Sequence, residues 1–183
     1  MSFILLAATV LLVLRCSCAS TPDLDRNPAL QQFQNEALAF PLKETWYMKY
    51  RNYETDPFFG GTAKCVRVTE TNAGQDGIYP LVLQYNPGVS VDINVTLSSS
   101  PGYTVKNIVT HYRRDQNISA TGYSAYKDVK KCDVLRIAEA GADACVLLVP
   151  ESQLTSDNTC CDFIFDLLCD ATPKFYIYDS SCA

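Results

Sequence analysis

Apolar and polar residues exchange places at every second position along most of this chain, the pattern of strands with one buried face. The clearest stretch is 89–97. Val89, Val91, Ile93, Val95 and Leu97 share one face, and Ser90, Asp92, Asn94 and Thr96 share the other. Seven further segments read the same way. The first sets Trp46, Met48, Tyr50 and Asn52 against Tyr47, Lys49 and Arg51. Then come 64–70, 78–85, 103–112, 117–126, 132–138 and 145–149. Turn signals separate them, among them Asp56-Pro57, Gly60-Gly61, Asn86-Pro87-Gly88 and Pro101-Gly102. The period becomes helical near the two ends. Leu30, Phe33, Ala37 and Leu38 predict a short N-terminal helix within 25–40, with Asn27 as cap and Pro28 in the first turn. Cys161, Phe165, Leu168 and Cys169 predict a second helix over 159–169, capped at Ser156-Asp157, before a last short strand at 175–178.

A helix, eight antiparallel strands and a second helix describe one mainly β domain, an up-and-down barrel of lipocalin-like layout. A barrel of this size is just wide enough to hold one small ligand. The rival is an immunoglobulin-like sandwich. That fold predicts a Cys…Trp…Cys order, whereas Trp46 precedes every cysteine beyond the first segment.

The first segment stands apart. Residues 1–14 are an almost unbroken apolar run, followed by Arg15, Cys16 and Ser17. The run is short for a membrane span, and small residues Ser17 and Ala19 suit cleavage before Ser20. The expectation is a secretory signal peptide over 1–19, with a membrane anchor as the rival because a basic n-region is missing. Cleavage removes Cys16 and Cys18 and leaves seven of the nine cysteines. In an oxidising compartment these form a disulfide framework, and the odd number leaves one over. Two glycosylation sequons, at Asn94 and Asn117, agree with secretion.

Composition and charge exclude several classes. The 183 residues allow one ordinary domain, and a formal charge of −5 argues against a nucleic-acid partner. No second run of eighteen apolar residues is present, so no membrane partner is expected. The single histidine, His111, rules out a multi-histidine zinc site and any relay not running through it. With no paired-carboxylate motif and no glycine-rich phosphate loop, neither an enzyme nor a cofactor is expected, and the mature chain is expected to be a monomer.

Four groups of residues carry a resemblance. They are Asn27-Pro28-Ala29-Leu30; Trp46 with Tyr50-Arg51-Asn52-Tyr53, Asp56-Pro57, Gly60 and Lys64-Cys65-Val66; Lys131-Cys132-Asp133-Val134; and Cys160-Cys161, Cys169 and Tyr178 through Cys182. In this order and at these intervals the chain resembles the salivary lipocalins of ticks, the histamine-binding family. The resemblance implies a closed, hollow β-cylinder spanning 20–183. It also implies disulfides Cys65–Cys182 and Cys132–Cys161, each worth on the order of 3–5 kcal/mol through loop closure. Relatives with an additional pair imply Cys145–Cys169, leaving Cys160 as the spare thiol, with Cys160 and Cys169 exchanging these roles as the alternative.

The resemblance further implies a secreted protein that captures a small host mediator, a biogenic amine such as histamine or serotonin. A buried ammonium needs a carboxylate and gains about 0.5–2 kcal/mol from an aromatic face. Amine-binding relatives place a tyrosine and an aspartate inside the pocket at positions matching Tyr53 and Asp56. The alternative for Asp56 is a turn residue capping its own loop. Trp46, Phe59, Tyr112 and Tyr123 complete the expected pocket, the last two on strands where relatives point aromatics inward. One departure matters. Where amine-binding relatives carry Glu-Leu-Trp, this chain has Cys145-Val146-Leu147-Leu148-Val149, and Asp92 lies on the outer face. One candidate carboxylate stands where relatives use three. A more apolar cavity suits a lipid mediator such as a leukotriene or fatty acid, with Arg51, Lys49, Arg113 and Arg114 as candidate partners for its carboxylate. Arg113-Arg114 reads otherwise as a solvated pair at a strand end, and His111 as a structural or rim residue. A third reading places function on the outer surface, binding a host complement or clotting protein.

Overall fold

The computed structural model describes residues 24–169 and 173–182. The expected signal peptide lies outside them. Nine antiparallel strands form: β1 Trp46–Arg51, β2 Arg67–Glu70, β3 Ile78–Tyr85, β4 Val89–Ser98, β5 Ile108–Arg113, β6 Ile118–Asp128, β7 Cys132–Ile137, β8 Cys145–Pro150 and β9 Phe175–Tyr176. Strands β2 to β8 pair in chain order, β8 pairs with β1, and β1 pairs with β2 to close an eight-stranded barrel. The closure rests on two residue pairs, Trp46 with Val68 and Tyr47 with Arg67. Strand β9 pairs with β1 on the same edge as β2, along Tyr50 and Arg51 beyond the two closing pairs. A closed cylinder excludes the sandwich and leaves no long unpaired edge. Among the described residues no helix is long and apolar enough to cross a membrane.

The N-terminal region departs from the expected single helix. It folds as three separate 3₁₀ turns, Leu24–Arg26, Pro28–Phe33 and Glu36–Leu38. The Asn27 side chain accepts from the Ala29 N–H as a cap, and Asn35 does the same for Ala37. That second cap restarts the backbone before a continuous helix can form. Between them the segment is tied to the barrel: the Gln34 amide donates to the Ala125 carbonyl and the Glu36 N–H to the Lys106 carbonyl. Strand β5 also begins later than expected. Residues 103–107 form a loop held by Asn107, whose side chain accepts from the Ser100 N–H and donates to its hydroxyl.

Helix α1, Thr159–Cys169, starts where predicted, with the Asp157 carboxylate accepting from the Thr159 N–H. Cys161, Phe165 and Cys169 recur every fourth residue and are its buried face. That face packs on the outside of the barrel against Tyr50, Val134 and Leu147. Three disulfides are present: Cys65–Cys182, Cys132–Cys161 and Cys145–Cys169. The last two pin α1 to β7 and β8, one at each end of the helix. Cys160 is a free, exposed thiol.

Candidate ligand-binding interior

Two β-bulges decide which charged residues face inward. In β1 the register with β8 shifts between Met48 and Tyr50. Trp46 and Met48 point in, Lys49 and Tyr50 both face α1, and Arg51 returns to the inside. In β6 the register with β7 shifts between Ser124 and Tyr126. Ala125 and Tyr126 therefore both pack toward α1, and Lys127 turns inward opposite Asp133. Each bulge inserts one residue and inverts the parity of the strand beyond it.

Lys127 is the centre of a buried triad. Its Nζ donates to Asp133 Oδ2 at 2.7 Å and to Glu36 Oε2 at 3.1 Å. It also lies 4.4 Å from the Trp46 ring centroid. Burial lowers the affinity of Lys127 for its proton, but the Asp133 and Glu36 carboxylates outweigh that and raise its pKa. Burial first, then the neighbouring Glu36 carboxylate, push Asp133 up to about 8. Lys127 opposes that shift, so the three side chains titrate as one linked unit. The remaining oxygens, Glu36 Oε1 and Asp133 Oδ1, have no hydrogen-bond partner among the described residues.

At the other end, the loop after β1 folds into the barrel as a plug. Phe58 and Phe59 are buried, their rings 4.7 Å apart and edge to face. Asp56 holds them: its Oδ1 accepts from the Phe58 and Phe59 N–H groups at 2.8 and 2.6 Å. Its Oδ2 accepts from the Tyr53 hydroxyl at 2.5 Å and lies 3.6 Å from the Arg51 guanidinium. Burial, reinforced by Asp56, raises the Tyr53 pKa well above the usual phenol range. Arg51 also donates to the carbonyls of Tyr53, Glu54 and Gly61, and Arg113 to that of Phe58. Asp56 is thus engaged as the cap of its own loop.

His111 lies between the two ends, with its Nδ1 unpartnered among the described residues. Burial lowers its pKa to about 4, against a weaker opposing effect of the Ala120 backbone. The imidazole is therefore neutral at physiological pH. Two small cavities flank it. One, of about 20 Å³, lies toward Phe59, Met48 and Val146; the other, of about 30 Å³, lies toward Glu36, Phe40 and Lys127. Trp46, Val68, His111, Leu135 and Leu148 border both. The expected hollow centre is instead largely filled by side chains, because the 53–63 loop and the 36–42 segment enter from opposite ends. Each void has room for about one water molecule, so a larger guest would require these side chains to move.

The expected pocket residues divide accordingly. Trp46 and Phe59 line the interior, and Tyr53 and Asp56 meet on the plug. Tyr112 and Tyr123 do not point inward. Val109 and His111 take the inner positions of β5, Tyr112 is 37% exposed, and Tyr123 lies outside beneath the Arg26 guanidinium. The Arg113-Arg114 pair splits: Arg113 is buried against Phe58 while Arg114 is exposed. Lys49 faces outward and pairs with Asp162 of α1 at 3.0 Å. The interior holds more carboxylates than the single candidate expected from sequence, since Glu36 and Asp133 join Asp56. Asp133 lies within the Lys131–Val134 motif, but strict alternation through β6 gives no sign that Lys127 turns in. Both sequon asparagines lie outside the core, Asn94 half-buried on the outer face of β4 and Asn117 exposed after β5.

Known proteins share this architecture. The profile of a family described as tick histamine binding protein matches residues 24–183. No curated protein matches. A crystal structure titled as an AM182 serotonin complex superposes with a TM-score of 0.57 at 16% identity, covering 82% of this chain and 93% of that one. Japanin from Rhipicephalus appendiculatus, bound to cholesterol, gives 0.53 at 14% identity, covering 76% and 95%. Apocrustacyanin C2 gives 0.52 at 14%, covering 80% and 84%. At these identities the solved structures establish a shared fold.

Proposed function

The chain belongs to the tick histamine-binding protein family, and from that premise we propose that it is a secreted, non-enzymatic protein that sequesters a small, largely apolar host mediator inside its barrel. A lipid-class molecule such as a fatty acid or leukotriene fits this reading best. The observation that carries it is that the buried carboxylates of the barrel interior are already engaged by the chain itself. Asp56 is held by two backbone N–H groups, Tyr53 and Arg51, while Glu36 and Asp133 both hold Lys127. What remains for contact is mostly Met48, Val66, Val68, Leu135, Val146 and Leu148. Burial of apolar surface then drives binding, at roughly 25 cal/mol per Å².

A free amine is the second reading. The unpartnered Glu36 and Asp133 oxygens favour it, as does the indole of Trp46 beside them. Trp46 is the sole tryptophan, so its fluorescence reports on the interior directly. Titration with arachidonate, leukotriene, histamine and serotonin decides between the two. Saturable quenching at micromolar arachidonate or leukotriene, with no response to the amines, is the expected outcome. The reverse pattern replaces it with the amine reading, and silence toward all four defeats both.

A further inference from the structure

A ligand's ammonium entering the inner end of the barrel would find its place taken. The Lys127 Nζ sits between Asp133 Oδ2 and Glu36 Oε2, 2.7 and 3.1 Å away, and 4.4 Å from the Trp46 ring centroid. Glu36, Asp133, Lys127 and Trp46 are exposed by 1, 2, 7 and 5%. Carboxylate oxygens and an aromatic face are the elements that recognise a primary ammonium in a dry site. The cage is also incompletely used: Glu36 Oε1 and Asp133 Oδ1 are buried, unpartnered, and belong to residues bordering the cavity of about 30 Å³.

We propose that Lys127 is the chain's own occupant of a primary-ammonium cage built from Glu36, Asp133 and Trp46, and that it determines ligand class by closing this cage to free amines. Lysine is carried inward by the β6 bulge and placed directly opposite Asp133. Its side chain therefore satisfies two carboxyl groups that would otherwise bind a cation from solution. Removing it exposes both. The proposal deepens the preference for an apolar mediator and rests on it for its biological meaning, but the cage itself is testable without any natural ligand.

Lys127→Ala deletes the equivalent of n-propylammonium from the cage. The variant is expected to melt below the wild type and to recover with n-propylammonium chloride. A saturable upward shift on the order of 5 °C is expected, accompanied by a change in Trp46 fluorescence. Equal concentrations of n-propanol and of sodium chloride are the controls for shape and ionic strength. Histamine and serotonin are expected to bind the variant at least tenfold more tightly than the wild type. Rescue no greater than with the controls, or amine affinity unchanged by the substitution, overturns the proposal. Where Lys127→Ala folds only in the presence of n-propylammonium, that dependence supports it. Where it folds in neither condition, Lys127→Ala/Glu36→Gln decides, because one carboxyl group remains with a smaller burden of buried charge. This variant is expected to bind n-propylammonium, and failure to do so overturns the proposal. A wild type that captures no lipid would remove the lipid-scavenger function while leaving the rescue result standing.

Discussion

At the scale of single residues, two buried groups respond to pH in opposite senses. His111 is held near 4 when folded, below its ordinary value of 6.5. An unfolded chain takes up this proton first as pH falls. The stability linked to His111 is therefore fully present above 6.5 and drains away toward pH 4, by about 3 kcal/mol. Asp133 is raised to about 8 from 3.8. Here the unfolded chain loses its proton first, so the associated stability is complete below pH 4 and is lost as pH rises toward 8. Urea denaturation across pH 4–8 separates them. His111→Gln is expected to lose less stability than the wild type between pH 6.5 and 4, and Asp133→Asn to lose less between pH 4 and 8. The cap role of Asp56 is one of two readings open in the sequence, since Asp-Pro marks a turn as readily as a ligand. The outward placement of Tyr112 and Tyr123 is not legible there, because aromatic residues suit either face of a barrel wall.

At the scale of elements, the strands follow alternation and the disulfides follow the family resemblance, while the bulges follow neither. Strict alternation from Gly122 would turn Tyr126 inward and Lys127 outward. One extra residue in β6 reverses this and creates the triad, and the same device in β1 brings Arg51 to Asp56. A bulge carries no sequence signal that survives the ambiguity of a half-buried strand, which is why much of the interior chemistry is hidden at the level of sequence. Helix α1 shows the opposite case, since its buried face at every fourth residue can be read directly. Its two tethers make a further expectation. Cys145 and Cys169 are 24 positions apart, and loop closure at that length is worth about 3 kcal/mol. Cys145→Ser/Cys169→Ser is expected to lose stability of that order in denaturant titration and to leave the end of α1 more open to proteolysis.

At the scale of the whole molecule, the ring is legible because eight alternating segments have few ways to bury one face each. Its filling is not, because that depends on how two irregular segments fold back into the ends. Phe59 shows the consequence. Phe59→Ala is expected to cost about 3–5 kcal/mol of stability. By enlarging the cavity beside His111, it is also expected to tighten binding of whichever lipid quenches Trp46. Parallel melting and fluorescence titrations check both, and a variant that loses stability without gaining affinity would place the binding chamber elsewhere. The join between β1 and β2 has only two residue pairs where β3 and β4 have eight. Such a seam breathes before the rest of the wall does, so amides at Trp46 and Val68 are expected to exchange hydrogen ahead of those in β3 and β4. Past those two pairs the wall is darned rather than open: β9 runs along Tyr50 and Arg51, the Ile177 backbone joins Lys49 to Cys65, and the bond from Cys65 to Cys182 rivets this patch, so the chain's own tail serves as the last stave of the cask.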